Sequence, residues 1–320
     1  MDLEQPTQLE VGGTNALGKM LGLLGDEWTL LIIQQTFFGL SRYAQFKAAL
    51  PISDSVLTTR LRLLTSEGLL QQHLYQSNPV REEYLITARG RSLWPFLIAI
   101  WAWEQRWVPM RADTLPRMVH KACHHEFAPV LSCAACRRPV SADDITISWG
   151  PSGSWERSVP EGAQRRRWAS AHSGNAGLFP QTMTILGNRW ASALMGAAFL
   201  GVTRFTGFVK ALGAPPTLIA ERLRAFLSIE VMTTTSNLEY QLTDKGRAFF
   251  PVLAIAARWV HRWFHAPEGP ALVQVHLGCG GPFEAELRCD HCAVRVAGPD
   301  VAAVAAPSDR PSGRWIYENQ

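Results

Sequence analysis

The most constraining feature of the sequence is that most of it occurs twice. LGDEW at 24–28 matches LGNRW at 186–190, 162 positions later, and GLSRYAQFKAAL at 39–50 matches GVTRFTGFVKAL at 201–212 with the same spacing. From YLITARGRSLWPFL at 84–97, which matches YQLTDKGRAFFPVL at 240–253, the spacing is 156. The second copy is therefore six residues shorter (162 − 156) between positions 71 and 84, and a deletion confined to one place predicts a loop there.

All six cysteines fall within two copies of the pattern H-x2-C-x9-C-x2-C. Two ligands separated by two residues can bind one ion from a tight knuckle, and nine residues suffice for a hairpin that brings the second knuckle to the first. The pattern predicts two structural zinc sites per chain, one in each copy, with no coordination position left for water. The predicted ligands are His120, Cys123, Cys133 and Cys136 in the first copy, and His276, Cys279, Cys289 and Cys292 in the second.

Three further histidines lie close to these ligands: His124, His125 and His291. Their positions do not correspond between the copies, so we expect them to face solvent. A redox-active or disulfide-bonded form of the CxxC pairs is the alternative to zinc, although a reducing compartment favours the metal. Because such a module is too small to bury a core of its own, metal ligation would supply its folding free energy.

The composition is that of a cytoplasmic globular protein with two cores. A chain of 320 residues with 47% hydrophobic content exceeds one ordinary domain, and a net charge of +4 suits a polyanionic partner without requiring one. MDLEQPTQLE lacks the basic start and apolar run of a secretory signal, and LWPFLIAIWAW at 93–103 is too short to span a bilayer. No nucleophile elbow, phosphate-binding glycine loop or dinucleotide fingerprint is visible, so we expect no enzyme.

The repeat divides the chain into two similar domains, each followed by a small module. We predict an α+β, mainly helical fold with two winged helix-turn-helix domains in tandem, each with a zinc-ribbon-like appendage. The expected segments are a tail at 1–15, domain 1 at 16–119, module 1 at 120–148, a linker at 149–177, domain 2 at 178–275, module 2 at 276–307 and a tail at 308–320. Copy 1 denotes residues 16–148 and copy 2 residues 178–307. The basic run Arg165, Arg166 and Arg167 in the linker is expected to be solvated.

The order of elements within a copy carries the fold prediction. Apolar residues recur at helical spacing over 16–37, Ser41 is a candidate N-cap for the next helix, and Ser53 or Asp54 can cap the helix that follows Pro51. Residues 71–87 alternate around a turn at 78–79, as in a hairpin, and a tryptophan-rich helix follows. This order is typical of a winged helix-turn-helix, although a small α+β domain without a nucleic-acid role would fit it too. The tryptophans are expected to form a packing surface, which would join either the two copies or two chains, rather than a ligand pocket.

The outward face of the helix at 54–66 points to DNA. Leucines at 57, 61 and 64 share one face, and the opposite face carries short hydroxyl groups around one long cation. Such a set can enter a major groove and reach base edges and phosphates. Its members are Ser55, Thr58, Thr59 and Arg62.

These segments resemble the HxlR-type winged-helix transcription regulators of bacteria. LGDEWTLLII, ISDSVLTTRLRLLTSEGLL and YLITARGRSLWPFL carry the resemblance in copy 1, and LGNRWASALM, LIAERLRAF and YQLTDKGRAFFPVL carry it in copy 2. It implies a sequence-specific regulator of double-stranded DNA, usually dimeric, with repression favoured over activation. It further implies that Arg81 lies on the wing and that four residues lie close to the DNA backbone: Arg42, Arg60, Arg204 and Arg222. Thr217 and Arg224 take the places of Ser55 and Arg62 in copy 2.

The chain departs from that family in three ways. It holds two domains where one is usual, it has no cysteine before Cys123 for the N-terminal thiol sensing of some members, and its second wing is short and lacks arginine. Glu221 also replaces Thr59, so copy 2 should read a different half-site or bind DNA weakly. The sequence leaves open an intramolecular pseudo-dimer or a homodimer, and any small-molecule effector. A thiol- or metal-responsive sensor and a zinc-dependent interaction scaffold with weak DNA binding remain alternatives.

Overall fold

The fold is described from a computed structural model, which covers residues 5–78, 80–109, 115–159 and 179–304. The remaining positions include Arg165, Arg166 and Arg167, most of the predicted linker, Pro79 and the predicted C-terminal tail, which therefore lie outside the described residues.

A short strand, β1 Thr7–Gln8, precedes copy 1. Copy 1 itself begins with four helices: α1 Ala16–Leu24, α2 Glu27–Phe37, α3 Tyr43–Ala49 and α4 Asp54–Ser66. The periodic segment 16–37 is two helices, because α1 ends at Gly25 and the Asp26 carboxylate accepts a hydrogen bond from the Thr29 backbone N–H at 3.0 Å. Ser53, one of the two candidate N-caps, caps α4, and Asp54 is the first residue of that helix. The N-cap of α3 is Arg42 rather than the expected Ser41, and the Gln45 side chain accepts the N–H groups of both.

The predicted hairpin and tryptophan-rich helix follow. The elements are β2 Leu70–Ser77, β3 Val80–Ile86, α5 Ala88–Arg91 and α6 Trp94–Trp107. β2 and β3 pair antiparallel and form the wing, while Leu57, Leu61 and Leu64 of α4 are fully buried beneath it and the neighbouring helices. Copy 1 thus has the winged helix-turn-helix order.

Four strands and a short helix follow α6: β4 Arg117–His120, β5 His125–Glu126, β6 Pro129–Cys133, β7 Ile145–Trp149 and α7 Trp155–Ser158. Part of the expected linker is thus regular structure, since β7 includes Trp149 and α7 packs on α1. Asn15 secures this contact by donating from Nδ2 to the Ser158 hydroxyl at 2.9 Å and to the Ser152 carbonyl at 3.0 Å.

Copy 2 repeats the order with a shorter wing. Its elements are α8 Pro180–Leu186, α9 Arg189–Phe199, α10 Phe205–Leu212, α11 Pro216–Ser228, β8 Met232–Thr234, β9 Tyr240–Leu242, α12 Asp244–Arg247, α13 Phe250–Trp263, β10 Phe264–His265, β11 Leu272–His276, β12 Ala285–Cys289 and β13 Val301–Val304. Each strand of the second wing has three residues, against eight and seven in the first. The six-residue deletion therefore falls in the hairpin of the wing and shortens its two strands, whereas the repeat alone predicted a loop there.

The two modules are interleaved. β6 pairs with β12, β7 with β11 and β4 with β13, each time antiparallel, so every long strand of one module has its partner in the other. The central pair places Leu131 opposite Leu287, which are equivalent residues 156 positions apart. The modules therefore form one joint body around an approximate twofold axis.

The same approximate axis relates the two domains. Asp26 and Asn188, equivalent residues, form an isolated β-bridge, and α6 packs against α13. Trp103 Nε1 donates to the Lys245 carbonyl at 3.0 Å, and its equivalent Trp259 Nε1 donates to the Arg89 carbonyl at 3.3 Å. The two copies thus pair within one chain, and the tryptophan-rich helices form the joint between them.

Candidate metal centres and nucleic-acid interface

The eight predicted metal ligands form two clusters, and the predicted grouping within each copy is wrong. Cluster A consists of His120, Cys123, Cys289 and Cys292, and cluster B of Cys133, Cys136, His276 and Cys279. The nitrogen and sulfur ligand atoms of each cluster lie within 4.8 Å of one another. Each cluster therefore takes a His-x2-Cys pair from one copy and a Cys-x2-Cys pair from the other.

Strand pairing explains this exchange. The nine residues between Cys123 and Cys133 do not form a closed hairpin, because five residues, Pro129–Cys133, form the extended strand β6. A strand of that length carries Cys133 roughly 13 Å away from its start. Antiparallel pairing of β6 with β12 then places Cys289 opposite Pro129, at the end of the strand nearer to Cys123.

The distances within both clusters suit a tetrahedral zinc ion. With Zn–S bonds of about 2.3 Å, tetrahedral geometry separates two sulfur atoms by about 3.8 Å. In cluster A, the Sγ atoms of Cys123 and Cys289 are 3.8 Å apart, and His120 Nδ1 lies 3.4 Å from Cys123 Sγ and 3.3 Å from Cys292 Sγ. In cluster B, His276 Nδ1 lies 3.4 Å from Cys136 Sγ and 3.2 Å from Cys279 Sγ. Both imidazoles are buried and present Nδ1 to the thiols.

Backbone amides and burial shift the pKa values of the cysteine thiols, and a thiol must lose its proton to bind a cation. The backbone N–H of Arg138 lowers the pKa of the Cys136 thiol to about 6, and burial raises the pKa of Cys289 to about 11. The backbone N–H of Val294 also lowers the pKa of Cys292. Amides two residues beyond a cysteine thus favour thiolates at both CxxC knuckles, whereas burial disfavours the thiolate of Cys289.

The three unassigned histidines lie outside both clusters. His124, His125 and His291 are exposed, as expected, and the rings of His125 and His291 stack with their centroids 4.6 Å apart.

The outward face of α4 lies at the surface of the structure. Ser55, Thr59 and Arg62 are exposed and Thr58 is half-buried, opposite the buried leucines. Arg81 is exposed on β3 of the wing. The predicted surface of copy 1 is therefore accessible to a large partner.

The arginines that flank α3 and α4 differ in exposure. Arg42 is exposed and its guanidinium lies over the Tyr75 ring, 4.4 Å from the centroid. Arg60, in contrast, is only 8% exposed, and its Nη2 lies 2.7 Å from Asp26 Oδ2. Its equivalent Arg222 is 6% exposed and pairs with Glu221 at 3.1 Å. Both side chains therefore lie inside the domains in this structure, and not at the surface from which the expected contact with a DNA backbone would be made.

Asp26 is the structural residue that the sequence analysis missed. It caps α2, pairs with Arg60 and lies at the bridge to Asn188 on the approximate axis. The sequence feature that could have identified it is the repeat of LGDEW as LGNRW. Asp26 in the first and Asn188 in the second are both residue types that cap helices.

The corresponding surface of copy 2 is less basic. Thr217 and Arg224 are exposed on α11, but Glu221 is exposed between them. Arg204 is exposed and its Nε lies 3.0 Å from Glu239 Oε1, so its charge is partly compensated. Among the described residues, no helix is both long enough and apolar enough to cross a membrane.

Comparison with known proteins places these features in a family. The HxlR-like helix-turn-helix family matches residues 23–112 and 185–268, which together exceed half of the chain. An uncharacterised HTH-type transcriptional regulator of Mycobacterium bovis is 33% identical over 136 residues, which are 42% of this chain and 86% of that protein. A regulator of the same description from Synechocystis is 36% identical over 100 residues, 31% of this chain and 74% of that protein. One from Bacillus subtilis is 36% identical over 91 residues, 28% of this chain and 84% of that protein. The chain therefore belongs to the HxlR-like helix-turn-helix family of transcriptional regulators, and it carries the unit of that family twice.

Proposed function

We propose that this chain is a cytoplasmic, sequence-specific DNA-binding repressor whose two copies act as an intramolecular pseudo-dimer. The observation that supports it most directly is the outward face of α4, where hydroxyl groups and one arginine lie at the surface while the leucine face is buried. Approximate twofold symmetry between the copies matches the symmetry of a duplex with two half-sites.

In copy 1, α4 would enter the major groove. Ser55, Thr58 and Thr59 can donate hydrogen bonds to phosphates and can donate to or accept from base edges, and Arg62 can bind guanine with two hydrogen bonds. Arg81 on the wing and Arg42 beside Tyr75 would contact the adjacent backbone. Occupying an operator in this way would exclude other proteins from the promoter, which is the basis for proposing repression.

Copy 2 would contribute less to affinity and more to selectivity. Glu221 on α11 is repelled by phosphates but accepts a hydrogen bond from cytosine N4 when it faces a base edge. Arg224, Thr217 and Arg204 would supply its favourable contacts. We therefore propose an asymmetric operator with two unlike half-sites, about 34 Å apart.

We further propose that clusters A and B each bind one structural zinc ion. Three thiolates and one imidazole complete a tetrahedral shell, so the ion would supply folding free energy rather than hydrolytic chemistry. Cluster A would join β4 to β12 and cluster B would join β6 to β11, so both ions would fix the two domains relative to one another.

Replacing Arg62 with alanine tests the assignment of the recognition helix. The variant is expected to lose about 1–3 kcal/mol of specific binding free energy and to relax preference at one base pair. Selection of binding sites from a random pool, followed by titration of wild type and variant at fixed salt, measures both effects.

Arg224→Ala is the matched control, since Arg224 is the equivalent of Arg62 in copy 2. Its loss should be smaller and should affect the other half-site. A selected motif that is unchanged in Arg62→Ala would show that α4 does not read the bases.

A further inference from the structure

Two cavities occupy equivalent positions in the two copies. The copy 1 cavity has a volume of about 20 Å³, and the copy 2 cavity has a volume of about 80 Å³. All but one of the residues that line the smaller cavity have their repeat equivalents in the wall of the larger one. The pairs include Leu97 and Leu253, Pro116 and Leu272, and Phe179 and Leu17. In the last pair Phe179 belongs to copy 2 and Leu17 to copy 1, so each cavity takes this wall residue from the other copy.

Three small residues open the copy 2 cavity. Ala257 stands where copy 1 has Trp101, Ala254 where it has Ile98, and Gly196 where it has Gln34. In copy 1 the indole of Trp101 fills this space, since it is 3% exposed and donates from Nε1 to the Pro116 carbonyl at 2.9 Å. The equivalent space in copy 1 thus accommodates an indole group.

The wall of the copy 2 cavity is aromatic and almost entirely apolar. Trp149 and Trp155 meet edge to face with their centroids 4.9 Å apart, and Phe199 and Phe250, whose centroids are 5.5 Å apart, also line the cavity. The hydroxyl groups in the wall are already used, because Ser158 Oγ donates to the Ser154 carbonyl at 2.7 Å and Ser192 Oγ bonds to backbone carbonyls. Gln274, which is half-buried, adds an amide.

We infer that the copy 2 cavity is a binding site for a small planar aromatic molecule of about the size of indole. The cavity is partly open to solvent, since Trp149, Trp155 and Phe199 in its wall are only half-buried, so a ligand can enter. Burying an apolar ligand against an apolar wall of this kind is favourable. The amide of Gln274 admits one polar group on the ligand. The site is asymmetric, since Trp101 blocks its counterpart in copy 1.

The location of the cavity predicts that its ligand is an effector, a role that rests on the proposed DNA-binding function. Ser192, Ala193 and Gly196 of α9 line the cavity, and α9 packs against α10 and α11, the helix-turn-helix of copy 2. Leu17 and Leu21 of α1 line its other side, so the ligand also contacts copy 1. Ligand binding is therefore expected to change the affinity of copy 2 for its half-site.

Calorimetric titration of the full chain with indole and with naphthalene tests the site without DNA. We expect one equivalent of aromatic ligand per chain, and affinity lowered by about tenfold or more in Ala257→Trp, which restores the side chain of copy 1. Val11→Trp, which adds a tryptophan at a residue that is 76% exposed, should bind as the wild type does. Absence of binding by both probes, or equal affinity in wild type and Ala257→Trp, would overturn the site.

Gly196→Ala keeps this test valid if the tryptophan variant folds poorly. A Cβ at position 196 would lie 3.8 Å from Trp155 Cη2, an ordinary contact, so the helix should be stabilised while the cavity shrinks. We expect weaker indole binding together with a higher melting temperature. Undiminished indole binding in Gly196→Ala would count against the site.

The effector role has its own readout. DNA titrations with saturating indole should give a changed dissociation constant for the wild type and an unchanged one for Ala257→Trp. Ligand binding with an unaltered dissociation constant would overturn the effector role, whereas a chain that binds indole but no DNA would refute the proposed function instead.

Discussion

The double variant Cys123→Ser/Cys292→Ser is expected to retain one of two zinc equivalents, whereas Cys123→Ser/Cys136→Ser is expected to lose both. The first pair lies in cluster A alone, although its members belong to different copies. The second pair belongs to one copy, but it removes a ligand from each cluster. Zinc content of freshly purified, reduced protein, determined by mass spectrometry, distinguishes the two outcomes.

The comparison is decisive because grouping within each copy predicts the reverse. If each copy held its own ion, Cys123 and Cys136 would share a site and their joint loss would spare the other. Retention of one equivalent in Cys123→Ser/Cys136→Ser would therefore refute the crossed clusters. Fewer than one equivalent in the wild type would refute zinc binding itself.

The effect on stability should be large. Structural zinc contributes about 10–16 kcal/mol of apparent free energy in small zinc domains, and here each ion would join strands from both copies. Thermal unfolding followed with and without a strong chelator should show a loss of cooperativity, since the two domains then lose their common module. The thiol at Cys289, whose burial raises its pKa to about 11, would return to the protonated form.

Trp103→Ala is expected to cost about 3–5 kcal/mol of unfolding free energy, the range for deletion of a buried large aromatic side chain. Trp103 is 3% exposed, packs edge to face on Phe249 of copy 2 with centroids 5.1 Å apart, and donates to the Lys245 carbonyl. Its removal would leave a cavity and an unsatisfied carbonyl between the copies. Urea denaturation monitored by circular dichroism measures the loss.

Trp107→Ala on the same helix is the control, because Trp107 is only half-buried. It should cost distinctly less than Trp103→Ala. Trp103→Phe should recover most of the packing but not the hydrogen bond, and so should fall between the wild type and the alanine variant. Equal losses for Trp103→Ala and Trp107→Ala would show that α6 does not form the joint between the copies.

Much of the fold could be predicted from the sequence because each structural pattern occurs in both copies, in two different sets of residues. Helix order, the hairpin, the shorter second wing and the eight candidate metal ligands follow from local spacing. The grouping of these residues into two clusters could not be predicted from the sequence. Three cysteines and one histidine can surround a zinc ion whether all four come from one copy or two come from each copy. That choice depends on the pairing of β6 with β12, segments 156 residues apart.

Residues with long-range partners were also missed. Arg60 follows Thr59 on α4, and an arginine at that place in the sequence suggests an exposed side chain. Its partner Asp26, which is 34 positions away in the sequence, holds it inside the domain instead. The copy 2 cavity depends on three separate substitutions that meet only after folding, at positions 196, 254 and 257. Such features emerge when the two copies are compared as structures.

The crossed strands have a consequence for how the molecule assembles. Neither half holds a complete ligand set, so each needs the other, and the covalent connection supplies that partner at a fixed, high effective concentration. Assembly is then independent of how many molecules a cell contains, unlike a homodimer that dissociates on dilution. The two copies also have independent sequences, although they lie in one chain. Copy 1 can therefore keep a basic recognition surface while copy 2 acquires an acidic residue and an open cavity. Two identical subunits of a homodimer could not differ in this way.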